Sequence, residues 1–316
     1  MAAKNKPNEL YITRIYDAPV KMVWDAWVEP KQVAQWWGPR GFTLTSESKD
    51  VTPGGKWIYT MHGPDGKDWP NMTVFHEVEK YSRLVYDHGA SENQPALFRV
   101  TVDFTEVKGK TKMEMTMAMA TAEVAKETKK FIRSANGDAT WDRLAEYLAQ
   151  EKDGQDIFVT HRSFEAPLDV VWDIWTNPKH VAQWLPPTGM TMEYVKPDIK
   201  AGGTSFYSMS GNGMKMYGKI HYKEITKPEK LVYTQMFCDE RENISRHPMA
   251  PTWPETMLTT VSFDAEGENQ TRISIKWEVH GNASGVERQT FNKAKDGMTQ
   301  GWSGSFDKLD DYLTKV

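Results

Sequence analysis

The sequence predicts an α+β protein made of two tandem copies of one domain, each a curved antiparallel sheet wrapped around a long C-terminal helix with two short helices. Three observations carry this. The segment 14–37, RIYDAPVKMVWDAWVEPKQVAQWW, returns at 162–185 as RSFEAPLDVVWDIWTNPKHVAQWL, with 13 of 24 positions identical. The Gly54-Gly55 pair returns as Gly202-Gly203 at the same offset of 148 residues. TWDRLAEYL at 140–148 is answered by SFDKLDDYL at 305–313. An offset of that size is a whole domain, too long for a solenoid unit, and a chain of 316 residues has room for two. The expected domains are 1–150 and 155–316, joined by the short charged linker AQEKDGQD at 149–156.

Each copy opens on a short strand, 10–16 or 157–164, where apolar and polar residues roughly alternate. An acidic residue and a proline, Asp17 and Pro19 or Glu165 and Pro167, then start a helix. In VKMVWDAWV, Val20, Val23, Trp24 and Trp27 fall at helical spacing on one apolar face. Pro30 ends it, and KQVAQW makes a second short helix that stops at Gly38-Pro39, or at Pro186-Pro187 in the second copy. The period then changes to two. Strands are expected near 42–51, 55–62, 70–79, 82–88, 96–105 and 111–120, separated by the turn signals PGG, GPDG and KGK. Met113, Met115, Met117 and Met119 share one face of the last strand; Ile273, Ile275, Trp277 and Val279 do so in the second copy. A long amphipathic helix closes each copy, striped by Phe131, Ala135, Trp141, Leu144 and Leu148, or by Phe291, Met298, Trp302, Phe306 or Leu309, and Leu313. The position that answers Trp302 is Gly137, which predicts a roomier first copy unless Trp141 or the methionines swing in.

Composition excludes several classes. A net charge of −4 offers no basic field for nucleic acid, and no apolar run is long enough to span a membrane. MAAKNKPNEL lacks the apolar core of a secretory signal, and Cys238 is the only cysteine, so the expected location is cytoplasmic. The eight histidines show no HxxxH or HxH spacing and no GxxxxGK[ST] loop is present, so neither metal nor cofactor is implied. Cys238 reads as an inert core residue. His76 and Arg99 fall on strands, either as polar anchors in a cavity or facing solvent.

The carriers Ala18-Pro19, Trp24, Trp27, Pro30, Trp36-Trp37-Gly38-Pro39, Gly54-Gly55 and Gly63-Pro64-Asp65-Gly66, with Ala166-Pro167, Trp172, Trp175, Pro178, Trp184, Gly202-Gly203 and Gly301-Trp302, form a pattern. It resembles the activator of heat-shock protein 90 ATPase homologue-like family, within the START-like (SRPBCC) helix-grip superfamily, once per half. The second copy departs from it at Leu185-Pro186 and in the long loop 238–255. The resemblance implies a hollow between sheet and closing helix, and fold alone does not set the function.

Thirteen tryptophans and 17 methionines suit either two ring-rich cores or a cavity lining that repacks around different shapes. The expected function is non-catalytic binding of a small hydrophobic or aromatic molecule. The alternatives are a cyclase- or hydrolase-type enzyme on a polyketide-like substrate, or a co-chaperone whose partner is a heat-shock chaperone. Strand parity and helix phase place Trp37, Tyr59, Met72, Phe98, Met115, Met117, Gly137 and Trp141 in the first lining. They place Tyr207, Met216, Tyr233, Met236, Trp277, Met298 and Trp302 in the second.

Overall fold

The computed structural model of the chain describes residues 6–89, 95–134, 139–211 and 213–316. It divides into two compact units, Met1–Gly154 and Gln155–Val316. In the first, β1 (Glu9–Tyr16) leads into α1 (Val20–Val28) and α2 (Pro30–Trp36). The strands β2 (Thr43–Lys49), β3 (Lys56–His62), β4 (Asp68–Glu79), β5 (Arg83–Gly89), β6 (Phe98–Val107) and β7 (Lys110–Ala118) follow, then α3 (Ala122–Ser134) and α4 (Ala139–Asp153). The second unit repeats the order with β8 (Ile157–Phe164), α5 (Leu168–Thr176), α6 (Pro178–Trp184), β9 (Met190–Lys196), β10 (Thr204–Gly211), β11 (Met214–Thr226), β12 (Lys230–Cys238), β13 (Thr256–Gly267) and β14 (Gln270–His280). It ends with α7 (Gly285–Lys293) and α8 (Lys295–Leu313).

Each unit holds one seven-stranded antiparallel sheet, ordered β1-β7-β6-β5-β4-β3-β2 and β8-β14-β13-β12-β11-β10-β9. Among the described residues no helix is long and apolar enough to cross a membrane.

The duplicated residues do the same physical work twice. The buried Trp36 indole N–H donates to the Ala26 carbonyl at 3.0 Å, and Trp184 to Ile174 at 3.4 Å. These bonds pin the second short helix onto the first. Thr111 Oγ1 donates to the Ala18 carbonyl at 2.8 Å and Thr271 to Ala166 at 2.9 Å, tying each Ala-Pro helix start to the last strand. The glycine pairs are forced by crowding. A Cβ on Gly55 would stand 2.4 Å from the Asp50 carbonyl oxygen, and one on Gly203 2.3 Å from that of Asp198.

The closing helices differ from expectation. The second copy ends on two helices rather than one. In the second copy the break falls at Ala294, whose backbone (φ −84°, ψ −6°) has left regular helix. This frees α7 to pack separately from α8. Phe131, expected on the core stripe of the first copy, is 65% exposed instead. Ala135 and Gly137 lie outside the described residues.

Candidate functional site

The space between each sheet and its closing helix can be judged by what fills it. In the first copy it is filled with rings. Trp141 on α4 stacks on Trp27 at 5.8 Å, and Trp37 stands edge-on to Trp57 at 5.1 Å. Trp57 in turn stacks on Tyr59 at 3.9 Å, and its indole N–H donates to Ser46 Oγ at 3.0 Å. Met113, Met115 and Met117 of β7 and Met119 just after it are all buried. What remains is a void of about 10 Å3 lined by Trp27, Trp37, Lys49, Trp57, Phe75 and Tyr86 among others. That is the space of a single water. Lys49 Nζ lies 3.2 Å from the centre of the Trp57 ring, and desolvation holds its amine well below the usual lysine range.

Trp141 thus does in the first copy what Trp302 does in the second, where Trp302 stacks on Trp175 at 6.3 Å. The roomier first copy is not what forms: the ring arrives from a different helical position and closes the space.

The second copy has smaller residues at two of these points. At the shared offset, Leu185 stands where the first copy has Trp37, and Ser205 where it has Trp57. The neighbouring wall is built of phenols. Tyr194, Tyr207, Tyr222 and Tyr233 come together across β9 to β12, through the pairs Tyr207 with Tyr194 and Tyr222 with Tyr233. Tyr194, Tyr207 and Tyr233 are densely surrounded by protein yet keep accessible surface, whereas Tyr59, the counterpart of Tyr207, is 1% exposed. These rings form a wall that is deep yet still reached by solvent. Burial pushes the Tyr207 phenol up to about 12 and raises those of Tyr194, Tyr222 and Tyr233. All four therefore hold their protons, and can donate hydrogen bonds, at neutral pH. Gly218 lies under Tyr207, where a Cβ would come within 2.3 Å of the ring.

The other wall carries indoles. Trp277 and Trp302 meet at 5.8 Å in a T, and the buried Nε1 of each has no hydrogen-bond partner. Trp27 Nε1, at a different position, is likewise without a partner in the first copy. A buried donor without an acceptor carries a desolvation cost of about 1–3 kcal/mol.

The loop 239–255 joins β12 to β13 and packs against α7. Ser245 N–H donates to the Phe237 carbonyl at 2.9 Å. Trp253 packs on Phe291 at 5.8 Å, and Thr252 bonds Thr290 at 2.8 Å. Arg246 reaches Glu287, which also closes the Ser284 capping box of α7. A second space, of about 550 Å3, opens beside this loop against Lys215, Tyr217, Phe237 and Cys238. Among the described residues no three His, Cys, Asp or Glu side chains gather as a metal-binding group would.

Most residues expected in the linings face the concave side, but two do not. Met72 pairs with Ile58 and Gly89, while Thr73 pairs with Trp57 and His88 and takes the concave face. Met236 pairs with Lys219, opposite in parity to Tyr233 and Phe237. Both methionines therefore sit on the convex face. The reason is that NMTVF and YTQMFC are apolar at both parities, so no alternation marks the inner side. His76 and Arg99 are convex as well: both bond Asp87, at 2.8 Å through His76 Nε2 and 2.8 Å through Arg99 Nε. Sequence reasoning missed Ser205, Leu185, Tyr194, Tyr222 and Gly218. Comparing positions 57 and 205, or 37 and 185, at the repeat offset would have exposed the difference in volume.

Comparison with known proteins identifies the family of the chain. A family model described as Activator of Hsp90 ATPase homolog 1-like protein matches residues 17–149 and again 165–314. A crystal structure of a Nitrosomonas europaea protein is similar at 23% identity, spanning 47% of this chain and 99% of that one, with a TM-score of 0.43. A Mycobacterium smegmatis protein is similar at 25% identity over 46% of this chain and 93% of that one, TM-score 0.42. The di-domain ARO/CYC BexL from the BE-7585A biosynthetic pathway aligns over 96% of this chain and 98% of its own, at 13% identity and TM-score 0.40. No curated protein matches the sequence. With one family model matching each half, over 17–149 and again over 165–314, the chain belongs to the Activator of Hsp90 ATPase homolog 1-like family, in two tandem copies.

Proposed function

We propose that the second copy binds a small, largely apolar molecule carrying hydrogen-bond acceptors, and that the first copy is a filled scaffold. The observation that carries this is the exchange of Trp37 and Trp57 for Leu185 and Ser205, with Tyr207 left deep but wetted. The ligand's apolar body would rest on Met216, Met298 and the phenol rings. Its acceptors would take the orphan N–H groups of Trp277 and Trp302 and the hydroxyls of Tyr207 and Tyr233. Planar molecules with carbonyl groups suit such a donor-lined recess. Raised phenols that keep their protons favour holding a ligand over abstracting a proton from one, so binding ranks above the cyclase or hydrolase alternative.

The test copies the first interior into the second. Titration of aromatic ketones against intrinsic tryptophan fluorescence, with thermal shift beside it, should show saturable binding to the wild type. Leu185→Trp combined with Ser205→Trp should abolish it while the variant stays folded. Equal affinity in the filled variant, or no saturable binding by any aromatic ketone tried, would sink the proposal.

A further inference from the structure

We infer that the ligand of the second copy is a glycoside: its aromatic body lies on the concave phenol wall, and a neutral sugar fills the space beside the loop 239–255. This deepens the binding proposed above and rests on it. The strand register joins the two places. Tyr207 pairs with Gly218, and Gly218 pairs with Phe237, so the three form one row across β10, β11 and β12. Phe237 lines the space, and so does Met216, the neighbour of Gly218 at the same parity. Gly218 brings no side chain to this row, and the hydroxyl end of Tyr207 takes its place. A Cβ on Gly218 would stand 2.3 Å from Cζ and 2.4 Å from Oη of Tyr207. That hydroxyl therefore sits at the join, between the phenol wall and a space of about 550 Å3, the size of a small-molecule site.

The lining of the space decides what the projecting part is. Lys215 and Arg241 are matched by Asp239 and Glu240, so no ion of either sign is called for. The signs are also mixed along the chain, because Asp239, Glu240 and Arg241 are consecutive. Interleaved donors and acceptors suit a neutral group that is both at once, and the hydroxyl is that group. Asp239 is spent on the loop itself. It accepts from the backbone N–H groups of Arg241 and Asn243 at 2.9 and 2.8 Å, and from the Asn243 side chain at 2.9 Å. Glu240 is then the lining carboxylate that accepts from ligand O–H groups, and Lys215 and Arg241 donate to their oxygens. Tyr217 and Phe237 supply ring surface for the C–H face of a sugar ring.

The test compares an aromatic ketone with its own glucoside. Calorimetry on the full-length protein should show the O-β-glucoside of 2-acetyl-6-hydroxynaphthalene binding about tenfold tighter than the parent ketone. Analogues carrying a carboxymethyl or an aminoethyl group on the same oxygen should bind no tighter than the parent. Glu240→Gln and Lys215→Met should each weaken the glucoside about fivefold and the parent less than twofold. Glu240 is exposed, so its variant should keep the wild-type Tm. The filled variant, Leu185→Trp with Ser205→Trp, should weaken ketone and glucoside alike. A glucoside no tighter than its ketone, a gain matched by either charged analogue, or a gain kept in both single variants would overturn the inference, while the ketone's own binding would leave the concave site standing. Glucoside binding untouched in the filled variant would overturn it as well. Failure of ketone and glucoside alike to bind would sink both readings.

Discussion

His88 shows how one side chain sets the acid limit of the first copy. Its ring stacks on Phe98 at 4.9 Å on the concave face, and burial lowers its pKa to about 4. An unfolded histidine titrates near its ordinary value of about 6.5. Between those values the unfolded chain binds more protons than the folded one, so stability falls as pH drops from 6.5 toward 4. Denaturant unfolding should show the first copy losing up to about 3 kcal/mol across that window, and His88→Phe should flatten the slope. An unchanged slope would refute this account of the acid limit. The same scale explains two misread residues. Met72 and Met236 sit in segments with apolar side chains at both parities, where alternation carries no information and only pairing decides the face.

At the scale of elements, the grip depends on how α4 and α8 hold the loop after the second short helix. Arg143 Nη1 donates to the carbonyls of Gly38 and Pro39 at 2.9 Å each and to Phe42 at 3.2 Å, and Nη2 reaches the Gln35 carbonyl at 3.1 Å. Its counterpart Lys308 reaches only the Pro186 carbonyl, at 2.7 Å, with Ser305 bonding Leu185 at 2.8 Å beside it. A planar guanidinium can gather several carbonyls at once and an ammonium fewer. Arg143→Met should therefore destabilise the first copy by about 3 kcal/mol and Lys308→Met the second by about 1 kcal/mol, read from chemical denaturation. Equal costs would mean the extra carbonyls are satisfied elsewhere. The strands and short helices were legible because period and proline punctuation agree along most of both copies. The split of the closing helix was not. Phe291 to Leu313 keeps its apolar spacing through the break at Ala294, so the sequence shows one stripe where the backbone makes two segments.

At the scale of the molecule, the duplication was plain in the sequence and the division of labour was not. Interior volume depends on which rings reach the same point from different helices, as Trp141 and Trp302 do, and a linear alignment cannot show that. If each unit carries its own core, residues 155–316 expressed alone should fold and keep the aromatic-ketone binding of the full chain, while residues 1–154 alone should fold without it; binding confined to 1–154 would reverse the assignment. The unlike interiors have a further consequence for biosynthesis. Each outermost strand, β1 or β8, pairs with the last strand of its own copy, β7 or β14, about a hundred residues downstream. Neighbours of one fold on one chain invite exchange of such strands and helices between copies. A hybrid that set Trp57 and Trp141 against Trp302 would be overfilled, and one that joined Ser205 to Leu185 without a closing ring would be hollow. The mismatch acts as proofreading: each half accepts only the parts made for it.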